Sequence, residues 1–347
     1  MVRQTDVRST AIRTTLPAHR SDTMSKQSLV VSLILCLSIT SSCSRSSRES
    51  DSGSAATERV SVQLNWKAES EHGGLYQAEA DGIFRDAGLS VQIRPGGINA
   101  PIGPELELAR CQFAMANADD VVLLRNEGVD IVAVLAAMQN HPRCIVVRAD
   151  SGIETFDDLA GKTFQHGPRP FVEFMRRKGL LKNVKEVPYQ GSVAPLVADP
   201  DVTMQGYSFS EPLLAGQQGV KVRTLMVSDL GFNPYSSVLV TTGTMIRDQP
   251  DLVRRFVQAT RKGWQNYLTD PTNGNQAILE ANDQMTSEAL KLGMDELRKL
   301  AMPSGTPLES VGQMSDDRWQ TLVQQLRDLE LIDANVQPND CFTLDFL

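Results

Sequence analysis

Residues that do covalent or metal chemistry are few and scattered. The 347 residues hold five cysteines and four histidines, with no zinc-like Cys/His spacing among them. No Ser/His/Asp or Cys/His constellation stands at a recognisable spacing. No run of basic residues offers a phosphate backbone its counterions. The net charge of −8 argues against nucleic acid or an anionic bilayer surface as an electrostatic partner. Aromatic residues make up 5% of the chain, so any clustering of them in loops carries information. The longest apolar run, residues 29–39, is too short to cross a bilayer as a helix.

What is present is an export pattern. Lys26 precedes the apolar run and Thr40-Ser41-Ser42-Cys43 follows it, as in a signal peptide. The small residues running into Cys43 resemble a bacterial lipobox. The expected order is a leader over 1–42, with translation starting at Met24, then a lipidated Cys43 and a polar tether to residue 58. Before Cys43 the cations Arg3, Arg8, Arg13, Arg20 and Lys26 outnumber Asp6 and Asp22, so the exported chain is still more acidic. Cys111, Cys144 and Cys341 allow one disulfide and an odd thiol, or are three buried small hydrophobes.

From Val60 onward short apolar runs alternate with amphipathic segments, the α/β pattern. Strands are expected at 60–66, 89–93, 112–116, 131–137, 144–148 and 236–241. Ile131–Ala137 is apolar throughout, as in a buried parallel strand. Helices are expected at 73–85, 104–109, 119–126, 251–268 and 316–329, with Leu252, Phe256, Ala259, Gly263 and Tyr267 at helical spacing in the clearest of them. The strands at 144–148 and 236–241 bracket a further α/β unit. The expected division is a first lobe of 59–146 plus 237–347 and a second lobe of 147–236.

The segment Leu64-Asn65-Trp66-Lys67-Ala68-Glu69-Ser70-Glu71-His72-Gly73-Gly74-Leu75-Tyr76 resembles the signature of receptors for thiamine-pyrimidine precursors, nitrate, sulfonates and taurine. Trp66, His72, Gly74 and Tyr76 match the pyrimidine branch, Trp-x-Pro-Asn-x-x-His-x-Gly-x-Tyr. Ala68 and Glu69 replace its Pro and Asn. Gly82-Ile83-Phe84, Gly88–Val91, Asn117–Asp120, Ile131–Val134, Gly152–Lys162 and Gly206–Pro212 extend the similarity from about residue 60 to the end. The resemblance implies a two-lobed type II periplasmic-binding-protein fold, with a two-strand hinge and a ligand cleft between the lobes. It also implies a solute-binding receptor that delivers its solute to an ABC permease and ATPase, monomeric and without cofactor or metal.

Open α/β sheets place ligands beyond the carboxyl ends of their strands. The residues expected there are Asn65 and Trp66, Gly96 and Gly97, Asn117 and Asp119, Gln139 and Asn140, Gln165 and His166, and Tyr207 through Glu211. Trp66, Tyr76, Tyr207 and Tyr235 are ring faces for a flat ligand or anchors in the core. His72 contacts ligand or fixes its loop. The candidate binding set is therefore Asn65, Trp66, His72, Tyr76, Gly97, Asn117, Asp119, Gln139, His166, Tyr207, Glu211 and Tyr235. Carboxylates such as Glu69, Glu71, Asp119 and Glu211 dominate these loops, with Arg94 and Arg169 the nearest cations. That favours a nitrogen-rich ligand over an anion, a nitrate-, sulfonate- or taurine-type anion being the alternative. A synthase of the same fold is the enzyme alternative, opposed by the missing cysteine cluster and the export leader. A receptor that signals to a sensor partner is a third class.

Overall fold

The computed structural model describes residues 57–98 and 100–347. The leader and Cys43 lie outside the described residues. Two five-stranded mixed sheets organise the chain. The first contains β1 (Glu58–Gln63), β2 (Leu89–Arg94), β3 (Phe113–Ala116), β4 (Ile131–Met138) and β10 (Ser236–Thr242), in the order β2-β1-β3-β10-β4. The second contains β5 (Arg143–Arg148), β6 (Thr163–His166), β7 (Lys185–Pro188), β8 (Val202–Tyr207) and β9 (Val222–Met226), in the order β7-β6-β8-β5-β9. The two orders are the same pattern. In each sheet three parallel strands are followed by a strand that has come from the other sheet and runs antiparallel to its neighbours. The chain passes between sheets twice, at 139–142 and at 227–235. β5, which the sequence reading divides at 146/147, pairs along its length within the second sheet.

The apolar strand β4 is a correction to the expected parallel pairing. It is the edge of the first sheet and pairs antiparallel with β10. Its apolar side chains are buried because the C-terminal chain covers the open edge. The N–H of Ala133 donates to the carbonyl of Cys341 at 2.8 Å, and that of Ala136 to the carbonyl of Gly312 at 3.1 Å. An exposed edge of such composition would invite another strand. The expected helix 73–85 is two helices, Gly73–Ala80 and Ile83–Asp86, because Gly82 adopts φ 73° between them.

The long helix Pro250–Thr269 lies directly on the helix Gly73–Ala80. Side chains are excluded from the crossing point, since a Cβ on Gly263 would stand 2.1 Å from the carbonyl oxygen of Gly74. Trp264 and Tyr267 then pack over Gly74 and Gly73, and Phe256 stacks on Phe84 and Phe113. This packing fixes the helix that follows the Trp66 loop, and so the loop itself. Cys111, Cys144 and Cys341 are all free and buried. No helix among the described residues is long and apolar enough to cross a membrane.

Candidate ligand-binding site

The parallel strands of both sheets end on one cavity of about 250 Å³, just below the roughly 300–1,000 Å³ usual for small-molecule sites. Asn65, Trp66, Glu69, Glu71, Ile98 and Asn117 wall it from one side. Arg143, Gly167, Pro168, Arg169, Tyr189, Gln205, Tyr207 and Glu211 wall it from the other.

The first wall is a loop held by its own polar groups. Gln63 donates to the carbonyls of Leu64 at 3.1 Å and Pro95 at 2.9 Å, clamping the ends of β1 and β2. The N–H of Gly96 donates to the carbonyl of Trp66 at 3.0 Å. The backbone N–H of Glu69 donates to Nδ1 of His72 at 3.4 Å, so the ring proton sits on Nε2 and is donated to Oδ1 of Asn65 at 2.9 Å. His72 is fully buried, and burial depresses its pKa to about 3. It is a neutral positioning group for Asn65, which itself lines the cavity. The indole N–H of Trp66 donates to Oε1 of Glu69 at 3.2 Å.

The second wall is built on β8 and the helix Glu211–Gln217. Oε1 of Glu211 accepts from the Tyr189 hydroxyl at 3.0 Å and Oε2 from the backbone N–H of Tyr207 at 2.6 Å. The Arg143 guanidinium lies over the Tyr207 ring, 4.4 Å from its centroid, within cation–π range. Three hydrogen bonds join the walls. Ser210 Oγ donates to Glu69 Oε2 at 2.8 Å, Asn117 Nδ2 to the Tyr207 hydroxyl at 3.1 Å, and Arg169 to Asp120 at 2.7 Å.

This buried, acidic lining shifts its own protonation. Burial, then the charge of Glu211, raises Glu69 from 4.5 to about 8. Burial, then Glu69, raises Glu71 well above the carboxylate range. Burial raises Glu211 as well. Burial and the neighbouring Asp120 raise Asp119 from 3.8 to about 7.

Of the candidate set, Asn65, Trp66, Asn117, Tyr207 and Glu211 meet at the cavity. Asp119 faces a small side chamber behind it, beside His141, Arg143, Arg169 and Phe171. The others lie elsewhere. Tyr76 is buried in the first core. Tyr235 is buried beside Trp319, with the Arg318 guanidinium 3.8 Å above its ring. Gln139 donates to the carbonyl of Gln313 at 2.9 Å. His166 is held between Glu186 Oε2 and the carbonyl of Gly167. Gly97 lies outside the cavity, beside Ile98 in a separate groove with Gln63, Arg94 and Glu105. Arg143, Tyr189 and Gln205 were not anticipated. Tyr189 follows the end of β7, where a strand-end rule finds it. Arg143 opens an antiparallel strand opposite Tyr207, so its amino end meets the carboxyl ends of the parallel strands.

A family model described as NMT1/THI5 like matches residues 69–274. The riboflavin-binding protein RibY of Chloroflexus aurantiacus is 22% identical, over 84% of this chain and 86% of that protein. The formylaminopyrimidine-binding protein of Halalkalibacterium halodurans is 21% identical, over 90% of this chain and 97% of that protein. A 4-amino-5-hydroxymethyl-2-methylpyrimidine phosphate synthase of Legionella pneumophila is 20% identical, over 85% and 94%. Among solved structures, the periplasmic aliphatic sulphonate binding protein SsuA of Escherichia coli superimposes with a TM-score of 0.63 at 11% identity, covering 84% of this chain and 94% of that one. The shared architecture is the periplasmic-binding-protein fold.

Proposed function

The chain belongs to the NMT1/THI5-like family, and from that premise we propose that it is the solute-binding receptor of an ABC importer, specific for a small, flat, nitrogen-bearing molecule. The supporting observation is the cavity itself. Two aromatic rings, Trp66 and Tyr207, stand on opposite walls with the carboxyl groups of Glu69, Glu71 and Glu211 around them. Ring faces hold a flat heterocycle by stacking, and carboxyl groups recognise its N–H edges. Relatives named for binding riboflavin and a formylaminopyrimidine accord with such a ligand. On this reading the chain is not an enzyme. It is monomeric and tethered through Cys43 outside the cytoplasmic membrane, and it hands its solute to a permease and its ATPase. The segments 139–142 and 227–235 are the hinge about which the lobes part to admit the ligand.

One observation favours a second reading. The guanidinium of Arg143 lines the cavity and has no ion-pair partner among the described residues, as a receptor for a sulfonate-type anion would require.

Native mass spectrometry of the purified protein, followed by calorimetry with the molecule it carries, separates the two. For a nitrogen heterocycle, Glu211→Gln weakens binding about tenfold to a hundredfold, the equivalent of roughly 1.5–3 kcal/mol for a charge-assisted hydrogen bond. Trp66→Ala weakens it too, with the fold intact. A bound inorganic anion or sulfonate, or wild-type affinity in both variants, rejects the heterocycle model.

A further inference from the structure

Three carboxyl groups wall the cavity, and two of them already accept one hydrogen bond from the protein at each oxygen, keeping a further lone pair for a ligand. Both oxygens of Glu69 accept hydrogen bonds, from Trp66 and Ser210. Both oxygens of Glu211 do so as well, from Tyr189 and the Tyr207 backbone. Glu71 differs. It is 3% exposed, and its Oε2 has no hydrogen-bond partner among the described residues. Oε1 lies 3.5 Å from Nε2 of His72, whose proton is already donated to Asn65. A buried polar atom left in this way costs free energy until something pairs with it.

Burial and the adjacent Glu69 push the Glu71 carboxyl upward, toward its neutral acid form, and the opposing influence of Arg143 and Arg169 is smaller. A carboxylic acid carries one O–H donor beside one carbonyl acceptor. The complement is a ligand edge with an acceptor next to a donor.

We propose that Glu71 is the specificity-determining residue of this cavity, closing a two-hydrogen-bond ring with an N=C–NH₂ edge of an amino-heterocycle or an O=C–N–H edge of a lactam or imide. The proposal rests on the nitrogen-heterocycle reading above and adds to it the residue and the ligand edge. A site whose buried group is satisfied only by the right ligand discriminates strongly against an analogue lacking the partner. A methyl more or less in an apolar pocket does not discriminate to that extent.

The test is a cycle of three ligands and three proteins, read by calorimetry. The probes are 4-amino-5-hydroxymethyl-2-methylpyrimidine and the same pyrimidine without its amino group, with riboflavin as the imide probe. Wild type is expected to prefer the amino compound by about tenfold or more, the equivalent of one satisfied buried hydrogen-bonding group. Glu71→Leu abolishes that preference. Glu71→Gln keeps most of it, because an amide offers the same donor beside an acceptor; a merely structural role for Glu71 would not sort the two variants by ligand edge. Thermal melts of both variants show that they fold. Wild-type preference persisting in Glu71→Leu, or equal loss of both pyrimidines in it, overturns the assignment while leaving the heterocycle reading standing. If wild type binds none of the three probes, the heterocycle reading falls and this assignment with it.

Discussion

The side-chain amide of Asn117 donates to the hydroxyl of Tyr207 at 3.1 Å, joining the end of β3 in one sheet to the end of β8 in the other. Ser236 orients that amide by donating to Asn117 Oδ1 at 2.7 Å. The bond ties the two walls of the cavity while leaving the Tyr207 ring in its lining. Tyr207→Phe keeps the ring and removes the tie. A net hydrogen bond contributes about 0.5–1.5 kcal/mol, so ligand affinity should drop about two- to tenfold. Stopped-flow dissociation should show the loss in the off-rate. An off-rate equal to wild type would mean that the tie does not hold the bound form.

The acidic lining predicts a stability that falls with pH above neutrality. Glu69 goes from 4.5 to about 8 and Asp119 from 3.8 to about 7 on folding, and Glu71 and Glu211 move in the same direction. Each binds its proton more tightly folded than unfolded, so its contribution is present at low pH and is lost as pH rises through the folded value. His72 works in the opposite sense, falling from 6.5 to about 3. Its effect raises stability with pH and is complete by about 6.5. Between pH 6.5 and 8 the carboxyl groups alone act, and Tm of the ligand-free protein should fall across that window. Glu69→Gln should flatten the fall, because an amide has no proton to lose. A slope unchanged in Glu69→Gln would show that Glu69 does not titrate there.

Cys43, outside the described residues, carries the prediction on localisation. The apolar run and Thr40-Ser41-Ser42-Cys43 predict acylation of its thiol. Metabolic labelling with a clickable fatty acid should mark the wild type in the membrane fraction and leave Cys43→Ala unmarked and soluble. An unlabelled wild type excludes the tether.

The fold was legible because periodicity reports burial. The alternation at β1 and the helical stripe of Leu252, Phe256, Ala259, Gly263 and Tyr267 each correspond to an element of that type. Burial does not say what a residue is buried against. Trp66 and Tyr76 stand ten residues apart in one motif, yet one lines the cavity and the other the core. Tyr207 and Tyr235 divide in the same way. The strand-end rule reached Asn65, Asn117, Tyr207 and Glu211, since these follow parallel strands. It passed over Arg143 because an antiparallel strand presents its first residue there. The contrast between Glu71 and Glu211 depends on which oxygens already have partners, and spacing carries no trace of that.

Adjacent glycines in the loop that follows β2 give the last prediction. A Cβ on Gly96 would lie 2.2 Å from the carbonyl oxygen of Leu64 and 2.7 Å from the backbone nitrogen of Trp66, whereas one on Gly97 meets nothing within 4 Å. The atoms opposing Gly96 are backbone, and β1 and its loop are fixed by Gln63 and by the Gly96–Trp66 hydrogen bond. They cannot turn aside as a flexible side chain would. Gly96→Ala must therefore push the β2 loop away from Trp66, at an overpacking cost of about 1–3 kcal/mol. Gly97→Ala should stay within about 0.5 kcal/mol of wild type. Denaturant melts measure both costs. Because the Trp66 carbonyl is the anchor lost in Gly96→Ala, the indole should also move, and its fluorescence and ligand affinity should change in that variant alone. Equal stability and affinity in the two variants would show that the close approach at Gly96 does not position Trp66.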